Sequence, residues 1–161
     1  DDAVLFSSFL VLRYEAFIVT VLGADETRYA ETEAAASVLG VQSMNLGFSE
    51  TNPDWDKVGY RMERLDGTRM DVDQVFAPLE EEEGHSQHNE VGLLAREIFG
   101  DRCRFYATYK RGHGRTQTDH EITPEPDWYA RKFAAMSCYV SQINHPQMRP
   151  WFNDWDREFI A

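Results

Sequence analysis

The 161-residue sequence is poor in basic residues and in cysteine, and it has no long apolar run. Its 16 lysines and arginines stand against 28 aspartates and glutamates, which gives a formal net charge of −12. This excess of negative charge argues against binding to a nucleic-acid backbone or an anionic lipid surface, because both require clustered cations. We therefore expect a neutral or cationic small-molecule partner and no nucleic acid.

The longest apolar run, at 3–12, is too short to span a membrane, and it contains two serines. No cationic stretch precedes it, so it is a poor match for a secretory signal peptide. Cys103 and Cys138 are too few and too widely spaced for a disulfide framework, and we expect both thiols to be reduced and buried. These absences together predict a cytoplasmic protein with no membrane segment.

Apolar residues make up 42% of the chain and aromatic residues 13%, which predicts one folded domain over 1–161 with a full core. The residue pattern predicts helices at 3–14, 25–40, 88–99 and 127–143, and strands at 15–22, 41–48, 73–79 and 103–109. Residues 49–72 are expected to be loop with some helix, and 110–126 and 144–161 to be irregular. Strands alternating with helices predict an α/β fold with a Rossmann-like, mostly parallel sheet and helices on both faces.

Two of the predicted helices carry an apolar stripe. In helix 88–99 the apolar side chains fall at i, i+3, i+4, i+7 and i+8, and they are Val91, Leu94, Ala95, Ile98 and Phe99. Helix 127–143 carries Phe133, Met136, Val140 and Ile143, and its aromatic residues are expected in the core.

Two polar clusters fall where strands of such a sheet would end, which is the usual place for a ligand. Asp1 and Asp2 stand directly before the first helix, and His85 and His88 stand between strand 73–79 and the next helix. A carboxylate and an imidazole are common ligands of a catalytic zinc, which keeps one position open for water. A second carboxylate can take a proton from that water, so two adjacent aspartates suit a division of labour.

Each cluster also has a simpler explanation. An Asp-Asp pair before a helix commonly complements the helix dipole, and two histidines three residues apart commonly lie on the surface. The run of acids Glu80–Glu83 favours a solvated loop. His113 and His120 stand singly in a polar stretch, and we expect neither to have a role.

Several motifs, taken in their order along the chain, resemble the PIG-L/LmbE-like family of zinc-dependent N-acetylglucosaminyl deacetylases. The opening "DDAVLFSS" is similar to the second half of the family's His-Pro-Asp-Asp motif and the helix after it. "RYAETEAAASVLG" at 28–40 resembles its Arg-x-x-Glu helix ending in Leu-Gly, and "LGF" at 46–48 resembles its next strand. "HSQH" at 85–88 resembles its His-x-Asp-His motif, and Ser141-Gln142 resembles a late Ser-Gln.

The resemblance implies roles for five residues. Asp1 would be the general base, and Asp2 and His88 would be ligands of Zn²⁺ or of another divalent metal. His85 would stabilise the oxyanion or protonate the leaving amine, and Arg28 would contact hydroxyls of the sugar or its aglycone. The implied reaction removes the N-acetyl group from an N-acetylglucosamine-type sugar, in a glycoconjugate or a secondary metabolite.

The sequence departs from that family in three places. Ala3 stands where the family has Glu. Gln87 stands where it has Asp, and an amide cannot tune a neighbouring imidazole as a carboxylate does, which would lower the basicity of His85. The His-Pro and its strand do not precede Asp1 here, so we expect the chain to be part of a longer protein and to be inactive as it stands.

Three functional hypotheses stay open. The first is the deacetylase, and the second is a non-catalytic relative of the same fold that acts as a binding or structural domain, which Gln87 would favour. The third is a different α/β enzyme, such as a nucleotide-binding one. Against the third stands the absence of Gly-x-Gly-x-x-Gly and of Gly-x-x-x-x-Gly-Lys. A homo-oligomer is compatible with each of them.

Overall fold

A computed structural model of the protein describes residues 2–23, 25–66, 72–110, 114–116, 118, 120–146 and 156–161. Its helices are α1 (Asp2–Tyr14), α2 (Glu26–Leu39), α3 (Trp55–Asp66), α4 (Ser86–Phe99), α5 (Pro126–Met136) and α6 (Val140–Ile143), with a short 3-10 helix at Gly100–Arg102. Its strands are β1 (Ile18–Leu22), β2 (Ser43–Phe48), β3 (Val75–Pro78), β4 (Cys103–Tyr106), β5 (Tyr109–Lys110), β6 (Gly114–Arg115), β7 (His120–Glu121) and β8 (Phe159–Ile160). The chain divides into two compact units, one of Asp1–Thr51 and Ile122–Glu158, the other of Asn52–Glu121 and Phe159–Ala161.

The first unit is built from α1, β1, α2, β2, α5 and α6. Strands β1 and β2 pair in parallel, with Ile18 opposite Ser43. Helix α5 packs against both α1 and α2. Helix α1 is buried almost all round, and its Phe9 ring stacks on Trp128 and meets Tyr129 edge-on. The core of this unit therefore centres on α1, with α5 and α2 packed against it.

The second unit contains the other parallel pair. Strand β3 runs parallel to β4, with Val75 opposite Cys103, and the order of the four strands is β3-β4-β8-β7. Strands β8 and β7 join in antiparallel sense. Helix α4 packs on β3 and β4, and α3 packs on α4. The predicted α/β class with parallel strand pairing is confirmed, and the short antiparallel strands extend it.

Local signals at both ends of α2 explain why this helix forms where the sequence predicts it. The Asp25 side chain caps the amino end and accepts hydrogen bonds from the N–H groups of Thr27 and Arg28 at 2.8 and 3.1 Å. These two bonds, that of Arg28 first, lower the pKa of the Asp25 carboxyl. At the other end Gly40 has a φ of 75°, a left-handed conformation that costs a glycine little. The helix is therefore bounded by residues next to it in sequence.

Several elements differ from the predicted ones. Residues 55–66 form a full helix, α3, and the predicted helix 127–143 is two helices separated by a turn at 137–139. The stretches expected to be irregular contain the two-residue strands β6, β7 and β8, and strand 103–109 ends at Tyr106. Such short strands have no period of their own, because each is defined by its hydrogen bonds to a neighbour.

The break between α5 and α6 changes which side chains are buried. The predicted stripe of helix 127–143 is wrong for Phe133 and Val140, which are more than half exposed, whereas Met136 and Tyr139 are buried. Cys103 is buried as expected, and burial raises the pKa of its thiol, while Cys138 is only partly buried. Among the described residues, no helix has the length and apolar character that crossing a bilayer requires.

Candidate active site

The amino end of α4 is capped by an imidazole. His85 has an extended backbone (φ −73°, ψ 128°), and its Nδ1 accepts a hydrogen bond from the Gln87 backbone N–H at 3.3 Å. N-caps are usually Ser, Thr, Asp or Asn, so a histidine in this place is uncommon. Because Nδ1 is the acceptor, the proton of the neutral ring lies on Nε2. His85 can therefore donate a hydrogen bond through Nε2, which is what a developing oxyanion needs, whereas protonation of a departing amine would require the imidazolium form.

The second predicted histidine lies one turn further along α4. Only 9% of His88 is exposed, and its ring centroid is 5.1 Å from that of His85. The His88 ring also meets Tyr109 edge-on, with centroids 5.6 Å apart. Residues three apart share one face of a helix, and that is why the two rings lie side by side. The burial of His88 keeps one imidazole away from bulk water, as a metal ligand requires.

A glycine lets α4 come close to the end of β3. A Cβ atom at Gly92 would lie well inside van der Waals contact with the Pro78 carbonyl oxygen. Glycine within a helix costs about 0.5–1 kcal/mol relative to alanine, so the close approach offsets a local penalty. His88 lies four residues before Gly92 on the same face of α4. The close approach therefore brings His88 to the carboxyl end of β3.

The acidic segment between β3 and α4 is folded back onto the helix by Asn89. The Asn89 side chain accepts a hydrogen bond from the Glu81 N–H at 3.0 Å and donates one to the Glu81 carbonyl at 2.7 Å. The Glu81 carboxylate accepts a further hydrogen bond from Thr116 Oγ1, and only 8% of Glu81 is exposed. The expectation that Glu80–Glu83 forms a solvated loop is thus wrong for Glu81, which tertiary contacts bury, while the two glutamates after it are exposed.

Thr108 is a polar residue of this region that the sequence does not single out. It is almost fully buried, and its hydroxyl makes no hydrogen bond to any residue the structure describes. Its carbonyl accepts a bond from the Thr116 N–H at 3.2 Å, next to the hydroxyl that binds Glu81. A buried hydroxyl with spare hydrogen-bonding capacity suits a polar ligand. The sequence offered only a weak signal that Thr108 belongs to this site, namely its position just beyond the end of β4.

In the first unit a cleft of 340 Å³ opens at the carboxyl ends of β1 and β2. Its lining consists of Gly23, Asp25, Glu26, Tyr29, Asn45 and Gly47. The Asn45 amide ties the two strand ends together, because it donates to the Gly23 carbonyl at 2.5 Å and accepts from the Gly47 N–H at 2.8 Å. The polar and acidic lining favours a hydroxylated or cationic ligand over an anion.

Arg28 lies in the first turn of α2, beside this cleft. Its guanidinium is 3.8 Å from the Glu50 carboxylate, and about three quarters of its side chain is buried, since 25% is exposed. Its backbone N–H is one of the two that the Asp25 cap binds. Arg28 is thus held by local contacts in the first turn of α2, and its role toward substrate hydroxyls stays a prediction.

Two motif residues that lie far apart in sequence meet in the first unit. The Glu31 carboxylate accepts hydrogen bonds from both the N–H and the hydroxyl of Ser141, each at 2.7 Å. Glu31 is buried, and Ser141 lies in the first turn of α6. The Glu31 carboxylate therefore caps the amino end of α6, although it lies 110 residues earlier in the sequence. This contact connects the Arg-x-x-Glu and Ser-Gln motifs.

The structure brings together two of the five predicted site residues, His85 and His88. Asp1 lies outside the described residues, and Asp2 is described only as the first residue of α1, without its side chain. The remaining one, Arg28, belongs to the first unit, whereas the histidines belong to the second. The part of the chain with described side chains holds no group of three His, Cys, Asp or Glu residues placed to bind a metal. The buried imidazole of His88 fits one ligand position of a zinc site, and the neighbouring His85 can donate a hydrogen bond beside it.

The two lone histidines are in different positions. His120 is exposed in β7, and His113 lies outside the described residues. No family model matches the chain, and no curated protein matches it.

Solved structures match the fold at low sequence identity. A deacetylase triple mutant involved in the teicoplanin biosynthetic pathway has a TM-score of 0.70 and is 15% identical over 94% of this chain and 84% of its own. The 4-carboxy-2-hydroxymuconate hydratase GalB of Pseudomonas putida has a TM-score of 0.73 and is 13% identical over 99% and 90%. A conserved protein of Thermus thermophilus has a TM-score of 0.64 and is 22% identical over 99% and 87%. At these identities the chain shares their α/β fold, and one of the proteins that share it is a deacetylase.

Proposed function

We propose that this chain is a metal-dependent N-deacetylase that hydrolyses the acetamide of an N-acetylglucosamine-type sugar. The observation that carries the proposal is the pair of imidazoles at the start of α4, one set to donate through Nε2 and the other buried. Two further observations support it. The motifs occur in the order of the PIG-L/LmbE-like family, and the fold matches that of a biosynthetic deacetylase.

The residues divide the reaction among them. Asp2 and His88 would hold a Zn²⁺ ion, or another divalent metal, which would supply Lewis acidity at the acetyl carbonyl. Asp1 removes a proton from the attacking water as its oxygen bonds to the carbonyl carbon. The Nε2–H of His85 donates to the developing oxyanion or to the departing nitrogen. The C–N bond then breaks while Asp1 passes the proton that it took from the water to the nitrogen, and the products are a free amine and acetic acid, which ionises to acetate.

The substrate is a neutral or cationic glycoconjugate or secondary metabolite. The net charge of −12 disfavours an anionic substrate, and the side chains that line the cleft beside Arg28 include two carboxylates, one amide and one phenol. Arg28 contacts hydroxyls of the sugar or of its aglycone. Its guanidinium offers five donors in a fixed plane, an arrangement that suits several hydroxyl oxygens at once.

The non-catalytic alternative depends on Gln87, which stands where the family has an acid. The bond that orients His85 comes from the backbone N–H of Gln87 and does not use its side chain. The tautomer of His85 is therefore compatible with glutamine at this position. What the amide removes is a negative charge near the imidazole, which lowers the basicity of His85 and predicts a slower enzyme.

The test measures bound zinc and released acetate together, in protein expressed from its complete reading frame. Zinc is counted by elemental analysis, and acetate is measured with N-acetylglucosamine conjugates as substrates. We expect the wild type to bind one zinc and to release acetate, and His88→Ala to lose both. His120→Ala is the matched control, because His120 is an exposed histidine of the same unit, and it should change neither.

Full zinc occupancy in His88→Ala would overturn the ligand assignment. Zinc binding by the wild type without acetate release would overturn the deacetylase. In that case the assay is repeated with an unsaturated carboxylic acid, because a hydratase has the same fold and also adds water to an unsaturated carbon.

A further inference from the structure

Helix α1 is interrupted in its middle. Side chains there make the hydrogen bonds that a regular helix would make between its own backbone groups. Ser7 has φ −141° and ψ 17°, far from helical values, in the middle of Asp2–Tyr14. On one side of the break the hydroxyls of Ser7 and Ser8 donate to the carbonyls of Ala3 and Val4 at 2.8 and 2.6 Å. A helix end inside a core needs such partners, because an unsatisfied buried peptide group is costly.

The central gap of the break is filled by a buried ion pair. In a regular helix the Phe9 N–H donates to the Leu5 carbonyl. Here the Phe9 N–H donates to Glu158 Oε2 at 2.8 Å, and the Leu5 carbonyl accepts from Lys132 Nζ at 2.9 Å. The ammonium and the carboxylate meet each other at 2.5 Å, and both side chains are fully buried. The ion pair is thus inserted between the two groups of one helical hydrogen bond.

The charges are placed as the helix dipole requires. The carboxylate of Glu158 faces N–H groups that open the second half of α1, and it also receives the Leu10 N–H at 3.4 Å. The ammonium of Lys132 faces a carbonyl that closes the first half, and it lies 4.6 Å from the centroid of the Phe9 ring. An anion is favoured at a helix amino end and a cation at a carboxyl end. Each member of the pair therefore stabilises the broken form over the straight one.

From this arrangement we infer that Lys132 and Glu158 are positioning residues, which set the direction of the first half of α1 and so the placement of the residues at its start. Asp2 is the first residue of α1, and Asp1 precedes it. This inference rests on the proposed function for its chemical consequence, since Asp2 is the proposed ligand and Asp1 the proposed base. A helix half of five residues acts as a short lever, so a changed angle at Ser7 displaces the backbone of Asp2 at its start. The proposed role of Lys132 and Glu158 requires no contact with the substrate.

The experiment compares two double variants at the same two positions. Lys132→Met/Glu158→Leu removes donor and acceptor together, which avoids an unpaired buried charge. The Phe9 N–H is then available to the Leu5 carbonyl, and α1 can close into a regular helix. Lys132→Gln/Glu158→Gln is the matched control, because it removes both charges but keeps a donor and an acceptor. The readouts are the ¹³Cα shift of Ser7, titration with Zn²⁺ alone, and the steady-state constants for deacetylation.

We expect the Met/Leu pair of substitutions to move the Ser7 shift to a helical value and to weaken zinc binding about 10–100-fold, as loss of an outer support does. The value of kcat should fall by a similar factor while KM changes little, because substrate contacts are untouched. The Gln/Gln pair should keep the Ser7 shift and stay within about threefold of wild type in zinc affinity, since both hydrogen bonds persist.

An unchanged Ser7 shift in a folded Met/Leu variant would overturn the inference. A helical Ser7 with wild-type zinc affinity and kcat would also overturn it, because the pair would then hold the helix without positioning the site. If the wild type itself binds no zinc, the proposed function fails and the chemical part of the inference fails with it. The Ser7 shift still decides in that case whether the ion pair maintains the break.

Discussion

Helices α1 and α4 both begin at predicted site residues, but they are completed in opposite ways. Helix α4 is regular from Ser86 to Phe99 and is capped by His85, the residue next to it in sequence. Helix α1 is broken at Ser7 and is completed by Lys132 and Glu158, more than 120 residues away. The hydrogen bonding of α4 is therefore completed by local chemistry, and that of α1 by the packed core. We expect mutations in the two helices to differ in how much stability they cost and in whether stability and activity are lost together.

The largest effect should come from breaking the ion pair of α1 on one side only. Glu158→Leu leaves the Lys132 ammonium buried without its counter-charge and the Phe9 N–H without its acceptor. We expect the free energy of unfolding to fall by about 3–5 kcal/mol, as for other buried pairs that lose one partner. Urea denaturation measures it. A loss under about 1 kcal/mol would mean that water or another group replaces the carboxylate.

The second effect concerns the two aspartates at the start of α1. If Asp1 is the base, Asp1→Asn should keep zinc and lower the deacetylation rate by about 10²–10⁴-fold. If Asp2 is a ligand, Asp2→Asn should lose zinc and activity together. Metal analysis and acetate release on both proteins make the comparison. Identical behaviour of the two variants would show that the division of labour between them is wrong.

The third effect probes the packing of α4. Gly92→Ala places a methyl group against the Pro78 carbonyl, and the backbone on both sides must shift. We expect a loss of about 1–3 kcal/mol in the free energy of unfolding, together with weaker zinc binding, because His88 moves with the helix. Gly59→Ala in α3 is the control, since its new methyl would meet only the mobile end of Leu94. Equal losses in the two variants would indicate a general effect of alanine.

The fourth effect separates the two roles of His85. His85→Ala should lower the free energy of unfolding by about 1 kcal/mol, the usual cost of a lost N-cap, and should lower kcat by about 10²–10³-fold. His85→Asn restores an oxygen acceptor for the Gln87 N–H without an imidazole, so stability should return while activity stays low. Thermal unfolding and acetate release test this. A return of activity with Asn would remove His85 from the chemistry.

The smallest effect is a pH dependence at the local cap of α2. Hydrogen bonds from Arg28 and Thr27 lower the pKa of Asp25 from its ordinary value of 3.8. A lowered folded-state pKa means that the stabilisation is complete above pH 3.8 and is lost as the pH falls through the folded value. Asp25→Asn keeps an acceptor but does not titrate in this range. The stability difference between wild type and Asp25→Asn should therefore shrink below pH 3.8, as urea midpoints would show.

The elements that the sequence predicts well are those with local boundaries. Helix α2 lies within the predicted 25–40 because Asp25 and Gly40 are signals that act over three or four residues. The stripe of 88–99 predicts α4, and only Ser86 and Gln87 were missed, because histidine is a rare N-cap. Helix α3 was expected only as some helix within 49–72, and its bounds were missed although Trp55, Val58, Met62 and Leu65 stand at i, i+3, i+7 and i+10.

The candidate site shows the same division. The motif order predicted His85 and His88, and the structure places their rings 5.1 Å apart, because both lie on one helical turn. Glu81 could not be singled out within Glu80–Glu83, since four identical residues give no signal for the one that Thr116 and Asn89 will bury. The roles assigned to Asp1, Asp2 and Arg28 stay predictions.

The amino-acid sequence by itself determined the α/β class, the apolar stripe of α4 and the pairing of two histidines, because each follows from residues within about two helical turns. Only the tertiary structure decided the break in α1, the burial of Glu81 and the end of α5 before Tyr139. Each of these depends on a partner that is distant in the chain, such as Glu158 for Phe9 or Ser141 for Glu31. A buried polar group takes whichever partner the fold brings to it, and a one-dimensional pattern carries no record of that choice.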